Sequence, residues 1–262
     1  MKERLLSSFL AIPLLIWLCT LTNLYPLFIL VTFVIILALN EFYEITKTKF
    51  TIPKYLAIIT GMTCFFAAFF FGIVGMIYSL ILGVIFVIIF EISKGRTDDA
   101  ILRISLICFA NFYIPCFLSY LFFIAREFPK NFLLCLLLTT WATDSFAYFI
   151  GVSFGKHKLC PSVSPKKSVE GAVGGTLFGV LTFVSSHYLL INPARFFELV
   201  AFALIVSLSA QLGDLFASLF KRDFGVKDFS QIIPGHGGLM DRLDSLLFVF
   251  PTAFYLGKVL KF

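Results

Sequence analysis

Acidic, basic and glycine residues collect in a short stretch near the end of the chain, between Lys227 and Ser245. Within it Asp241 and Asp244 lie three positions apart, which places both carboxylates on one face of a helix, with Arg242 between them in sequence. Two carboxylates at this spacing suit a hard divalent cation such as Mg²⁺, which binds oxygen ligands and leaves room for phosphate. A solvated acidic helix cap is an alternative for Asp241 but does not fit Asp244, which lies further inside the predicted helix.

A second polar group lies in the helix predicted just upstream. Asp214, Ser218 and Lys221 share one helical face, Gln211 lies on the same face one turn earlier, and Arg222 follows at the end. If this helix lies in a membrane, such a stripe must face a cavity or a partner, because it cannot face lipid.

Two further motifs lie earlier in the chain. W-A-T-D-S places Asp144 in an apolar helix, where a carboxylate is paired, binds a cation or makes a structural hydrogen bond between helices. S-P-K-K-S-V-E-G contains Lys166 and Lys167, Ser168 as a predicted N-cap and Glu170 in the first helical turn. This second motif suits an anion site at a helix N-terminus, although lysines at a helix end also serve simply to orient membrane proteins.

A flexible glycine turn, P-G-H-G-G from Pro234 to Gly238, lies between the two acidic segments and lets backbone approach a ligand closely. Its His236 is interpreted as a phosphate contact or proton carrier. Carboxylates for a metal, basic residues for phosphates and a glycine turn together predict phosphoryl or nucleotidyl transfer. The chain contains no P-loop or kinase lysine motif.

The elements that carry these motifs are apolar. Of the 262 residues 60% are hydrophobic and 14% are charged, whereas soluble domains are about 45–50% apolar and about 25% charged. The fold class is therefore predicted to be an all-α polytopic membrane protein of about nine transmembrane helices with a cytoplasm-facing polar cavity. The predicted helices lie near 5–22, 26–41, 53–72, 75–91, 100–124, 131–151, 170–191, 196–220 and 242–260.

The two halves of the chain differ in polarity. Residues 1–130 are predicted to be scaffold helices with few buried charges, and their apolar start is interpreted as an uncleaved first helix. Residues 131–262 are predicted to carry the catalytic site, with polar loops at 152–169 and 221–241. The boundary between the third and fourth helices is left open around Gly72 and Gly75.

Basic residues set the predicted orientation. Of the 21 Lys and Arg residues, those on the side opposite the N-terminus are Arg126, Lys130, Arg195, Lys258 and Lys261. The positive-inside rule therefore places the N-terminus and both polar loops in the cytoplasm. The same bias accounts for the net charge of +6, so nucleic-acid binding is not predicted.

The spacing S-x-x-K-R-x-x-x-x-K-D followed by P-G-H-G-G-x-x-D-R-x-D, from Ser218 to Asp244, resembles the C-terminal signature of the CDP-diacylglycerol synthases (phosphatidate cytidylyltransferases). The S-P-K-K-S-x-E-G and W-x-x-D-S-x-A-Y motifs also resemble that family, although Ser168 stands where threonine is more usual. The resemblance implies conversion of CTP and phosphatidic acid to CDP-diacylglycerol and pyrophosphate with Mg²⁺, and it allows a second cation such as K⁺. It also implies a multi-pass homodimer in the bilayer, here expected in the bacterial inner (plasma) membrane.

Site residues follow from the motifs and the resemblance together. The expected metal ligands are Asp144, Asp214, Asp241 and Asp244. The expected catalytic residues are Asp214, Lys221, Arg222, Asp241, Arg242 and Asp244. The expected substrate-binding residues are Ser164, Lys166, Lys167, Ser168, Ser218, Lys227, Asp228, His236, Gly237 and Gly238. The expected reaction is in-line attack by a phosphatidate oxygen on the α-phosphorus of CTP, with the basic residues stabilising the departing pyrophosphate.

Other functions fit less of the pattern. A CTP-dependent lipid kinase, or a cytidylyltransferase for a polyprenol or ether-lipid phosphate, would share the metal and nucleotide sites. A secondary transporter would show internal repeats and charges near the midplane, whereas here no repeat is apparent and the charges cluster towards one face. A purely structural membrane protein would not need so many acids inside apolar helices.

Overall fold

The computed structural model describes residues 16–17, 19–191, 195–230 and 237–262, most of which lie in helices. The first predicted helix, near 5–22, falls largely outside the described residues. The helices are α1 (Tyr25–Thr46), α2 (Lys54–Lys94), α3 (Ala100–Asn111), α4 (Phe117–Glu127), α5 (Phe132–Phe154), α6 (Val169–Leu190), α7 (Phe196–Asp223) and α8 (Met240–Leu260). A π-helical turn, Phe112–Cys116, joins α3 to α4 around Pro115, so these two helices form one continuous segment. In the described part of the chain, seven segments are long and apolar enough to cross a membrane.

Helix α2 contains both the third and the fourth predicted helices. As a straight rod its 41 residues would be about 60 Å long, roughly twice the hydrocarbon thickness of a bilayer. It reverses instead at Gly72, whose φ of 69° and ψ of −159° suit glycine. The Ser79 hydroxyl is a hydrogen-bond partner of the Cys64 thiol, and a Cβ on Gly83 would lie 3.8 Å from the Thr60 Cβ. The two halves therefore pack side by side as a helical hairpin.

Helices α5 and α6 pack backbone to backbone through a stripe of glycines. A Cβ on Gly171 would lie 2.6 Å from the Ala147 carbonyl oxygen, and one on Gly175 would lie 2.6 Å from the Thr143 carbonyl oxygen. Gly179 continues the stripe one turn later. Small residues at four-residue spacing let membrane helices approach closely, and here they fix the position of α5 against α6.

The polar segment predicted as a loop at 152–169 contains secondary structure that the sequence did not indicate. Helix α5 continues to Phe154, and two short antiparallel strands follow, β1 (Lys158–Cys160) and β2 (Ser164–Ser168). Strand β2 leads directly into α6. The predicted N-cap is confirmed, because the Ser168 hydroxyl accepts a hydrogen bond from the Gly171 N–H (3.2 Å).

The N-terminal and C-terminal helices pack together through aromatic rings. The rings of Phe42 on α1 and Phe220 on α7 have centroids 4.8 Å apart, and those of Tyr113 and Phe248 are 6.1 Å apart. The two halves therefore share one aromatic core, while the functional division at residue 130 stays a prediction.

The glycine stripe predicts the effect of adding one methyl group. In a helix interior Gly→Ala usually stabilises by about 0.5–1 kcal/mol, but at Gly175 the new Cβ would collide with the Thr143 carbonyl. We expect Gly175→Ala to lower the free energy of unfolding by about 1–3 kcal/mol, as overpacking does. Thermal unfolding in detergent measures the change, with Val173→Ala on the exposed face of the same helix as the control. Equal melting temperatures for the two variants would contradict the packing described.

Candidate active site

Three carboxylates on different helices converge inside the bundle: Asp144 on α5, Asp214 on α7 and Asp244 on α8. The hydroxyl of Ser245 donates a hydrogen bond to Asp144 Oδ1 (3.3 Å), which ties α8 to α5. Asp244 is buried, with 8% of its surface exposed, and the charges of Asp214 and Asp144 both act on it. The structure thus brings together three of the four residues expected to bind metal.

Close helix contacts set this convergence. A Cβ on Gly213 would lie 2.3 Å from the Asp244 carbonyl oxygen, so only a glycine lets α7 approach α8 this closely. Gln211, two residues earlier on α7, donates to the Thr176 hydroxyl on α6 (2.8 Å). These two contacts orient the turn of α7 that carries Asp214.

Adjacent lysines on β2 have different environments. Successive side chains of a strand point to opposite faces. Lys167 is half-buried and its Nζ lies 2.8 Å from Asp214 Oδ2, whereas Lys166 is exposed. The strand therefore points Lys167 towards the converging carboxylates and Lys166 towards the exposed side.

Asp241 lies at the start of α8 and binds the loop that precedes this helix. Its Oδ1 is 2.5 Å from the Lys221 Nζ, and its Oδ2 accepts hydrogen bonds from the backbone N–H groups of Phe229 (3.0 Å) and Gly238 (3.1 Å). Both oxygens are thus engaged by groups of the chain. These contacts distinguish Asp241 from the three converging carboxylates and suit a role in shaping the loop.

The other predicted residues lie around this centre. Arg222 donates to the carbonyl oxygens of Val163 (3.4 Å) and Val226 (3.3 Å), so it links the strand hairpin to the loop after α7. Gly237 has a φ of 81°, in the region that favours glycine. Among the remaining residues, Lys227, Asp228 and Arg242 are exposed. Ser164 and Ser218 are half-buried. His236 lies outside the described residues.

Sequence reasoning missed Glu41, which reaches this region from α1. Its side chain is buried, with 1% exposed, and its carboxylate accepts hydrogen bonds from the backbone N–H groups of Leu239 (2.8 Å) and Met240 (2.8 Å). The Ser230 hydroxyl is a third donor (2.5 Å). The available signal was an acid near the end of an apolar segment, A-L-N-E-F-Y, but it does not reveal a partner 198 residues away.

Two other charged contacts also went unpredicted. Glu91 and Arg103 form a buried ion pair (2.8 Å) within residues 1–130, the half in which few buried charges are expected. Glu170, in the first turn of α6, accepts hydrogen bonds from the Lys156 N–H (3.0 Å) and the His157 Nδ1 (2.6 Å). This second contact ties the end of α5 to the start of α6.

The converging carboxylates have the donor chemistry of a magnesium site without forming a complete one. Within the described ranges no three His, Cys, Asp or Glu side chains form a group that could hold a metal by themselves. Mg²⁺ commonly takes one or two protein carboxylates and completes its octahedral coordination with water and substrate phosphate. Asp244 is buried, Asp144 and Asp214 are half-buried beside it, and their carboxylate oxygens are donors of the kind that such a cation binds.

Comparison with known proteins is consistent with this site. A model of the cytidylyltransferase family matches residues 2–260. A phosphatidate cytidylyltransferase from Thermotoga maritima is 39% identical over 186 residues, 69% of this chain and 68% of the relative. Proteins of the same name from Staphylococcus aureus (strain COL) and Bacillus subtilis (strain 168) are 43% identical over 130 residues and 45% identical over 116 residues.

These alignments differ in how much of each relative they cover. The chain spans half the length of the Staphylococcus protein and 43% of the Bacillus protein, against about two thirds of the Thermotoga protein. The family model, in contrast, extends over almost the whole chain. This protein therefore belongs to the cytidylyltransferase family.

Proposed function

We propose that this protein is a phosphatidate cytidylyltransferase, which converts CTP and phosphatidic acid to CDP-diacylglycerol and pyrophosphate. The observation that carries the proposal is the convergence of Asp144, Asp214 and Asp244, with Lys167 and Lys221 beside them, inside an apolar helix bundle. Family membership and the shared name of the relatives support the same reaction.

The position of the carboxylates suits substrates from two phases. Asp244 lies in the second turn of α8, near one end of the bundle, where a soluble nucleotide can arrive. One turn further along α8, Phe248 begins an open apolar groove of about 500 Å³ that extends to Val259 and is also lined by Phe117 and Ile205. Such a groove suits the acyl region of a lipid whose headgroup reaches Asp244. The polar cavity joining the two regions stays a prediction.

The reaction requires one bond to form and one to break. An oxygen of the phosphatidate phosphate attacks the α-phosphorus of CTP in line with the leaving group, and the bond from that phosphorus to the bridging β-phosphate oxygen breaks. Pyrophosphate leaves with the electron pair. Because a phosphate monoester already carries anionic oxygens, the residues of the site are needed for positioning and charge neutralisation more than for proton removal.

Magnesium is part of the proposal. Asp144 and Asp244, with Asp214 close to both, would hold the cation, and the cation would supply charge neutralisation on the phosphates. A second cation, such as K⁺, also belongs to the proposal and rests on the family resemblance. Asp241 acts in this scheme through the loop that it binds and through Lys221.

Two lysines would act on phosphate oxygens. Lys167 pairs with Asp214 and Lys221 pairs with Asp241, so each is held by an acid in a position from which it can approach an anion. A desolvated ammonium group stabilises charge that develops on a leaving pyrophosphate. The helix N-terminus at Ser168 offers N–H groups next to Lys167.

Membrane orientation and assembly extend the proposal. The basic loops would place the N-terminus and the three converging carboxylates on the cytoplasmic side of the inner (plasma) membrane, where CTP is found. A homodimer is proposed from the family resemblance. A lipid kinase that uses CTP is the nearest competing function, and it would move the γ-phosphate instead of the cytidylyl group.

The first prediction about activity concerns the buried acid of α8. We expect Asp244→Asn to reduce Mg²⁺-dependent formation of CDP-diacylglycerol on the order of 100-fold, because the cation loses a charged ligand. The rate of CDP-diacylglycerol formation is measured with purified protein in detergent, labelled CTP and phosphatidic acid. The matched control is Asp223→Asn at the end of α7, where the acid is exposed and pairs with Lys49 (3.2 Å). Equal activities of the two variants would contradict a role for Asp244 in the site.

The second prediction separates the adjacent lysines of β2. Lys167→Gln should lower kcat/KM for CTP at least about tenfold, because the ammonium group that faces the carboxylates is lost. Lys166→Gln removes the same charge from the exposed face and should leave kcat/KM within about twofold, as most exposed charges do. A larger loss from Lys166→Gln than from Lys167→Gln would refute the orientation of the strand.

A further inference from the structure

We propose that Glu41 is a positioning residue for the transfer reaction, because it holds the start of α8 and the loop before it in the arrangement that places Asp244. This role rests on the proposed cytidylyl transfer. It assigns to the N-terminal half of the chain a direct part in organising the site.

The start of α8 lacks a cap from its own segment. The N-cap residue is Leu239, and no side-chain hydrogen bond from this position caps the helix. The first N–H groups of any helix need acceptors, and an apolar bundle offers little water to supply them. Glu41 provides the acceptors for Leu239 and Met240, and its carboxylate lies where the positive end of the helix dipole stabilises an anion.

Glu41 and Asp241 divide the backbone donors of the loop between them. Asp241 accepts from Phe229 and Gly238, and Glu41 accepts from the next two residues along the chain. Gly238 lies between the two acids, and a Cβ on it would be 2.9 Å from Glu41 Oε2. The described residues at the start of α8 are thus held by both acids, and loss of either acid leaves backbone N–H groups there without their acceptors.

Only about one helical turn separates the backbone that Glu41 binds from Asp244. Asp244 follows Met240 by about one helical turn, so a displacement at the start of α8 is transmitted to its carboxylate. Gly213 packs against the Asp244 carbonyl oxygen, which leaves little room for compensation. A glutamine at position 41 would present an amide N–H₂ towards a backbone N–H and would lose one of the two acceptor oxygens.

Glu91 provides a control of similar burial. It lies in the same half of the chain, is buried, and pairs with Arg103 rather than with the loop before α8. Glu91→Gln should therefore lower the melting temperature without changing turnover by the folded protein. Glu41→Gln should change both the backbone at the start of α8 and the turnover.

The test compares wild type, Glu41→Gln, Glu41→Asp and Glu91→Gln in detergent. Turnover is measured at saturating CTP and phosphatidic acid, and amide hydrogen exchange is followed in peptides that contain Leu239 and Met240. For Glu41→Gln we expect kcat to fall about tenfold or more, with faster exchange in those peptides, as for residues that orient a catalytic group. Glu41→Asp keeps the charge on a shorter side chain and should give an intermediate loss, and Glu91→Gln should retain turnover within about twofold.

The outcomes separate this proposal from the proposed function. Wild-type turnover and wild-type exchange in Glu41→Gln would overturn the role of Glu41 alone, as would an equal loss of turnover in Glu91→Gln. If Glu41→Gln does not fold, turnover and amide exchange of Glu41→Asp test the role of Glu41 instead. Absence of turnover in wild type would overturn the transfer reaction, and the exchange measurement would still decide whether Glu41 holds the start of α8.

Discussion

The close placement of three carboxylates is the constraint on which the candidate site depends. Asp144, Asp214 and Asp244 come from three helices, and apolar surroundings strengthen the repulsion between them because few water molecules screen it. The helices can hold the acids together only by packing closely, as α7 and α8 do at Gly213. Lys167 offsets part of the charge, and the proposed divalent cation would offset more.

Two acids, Glu41 and Asp241, satisfy backbone groups. Glu41 and Asp241 accept four N–H groups from the segment that enters α8. Without them these donors would be unpaired at the edge of an apolar bundle, where each unmet hydrogen bond is costly. The site therefore combines Asp144, Asp214 and Asp244, which are the ligands of the proposed cation, with Glu41 and Asp241, which hold the backbone at the start of α8.

Much of the site could be predicted because local periodicity determines it. Helical spacing places Asp241 near Asp244 and puts Asp214 and Lys221 on one helical face, and the capping preference of Ser168 also follows from local sequence. The role of Glu41 depends on a contact across almost the whole chain, which no local pattern encodes. Lys166 and Lys167 could be assigned to opposite faces only once their segment was known to be a strand, because a loop has no alternation of side chains.

The measurement that tests the central claim most directly is the fate of each phosphate of CTP. Wild-type protein is incubated with phosphatidic acid and Mg²⁺, using CTP labelled with ³²P at the α-position in one reaction and at the γ-position in another. Transfer of the cytidylyl group predicts that the α-label enters the lipid fraction while the γ-label leaves as water-soluble pyrophosphate. Appearance of the γ-label in lipid, or of neither label, would contradict the account.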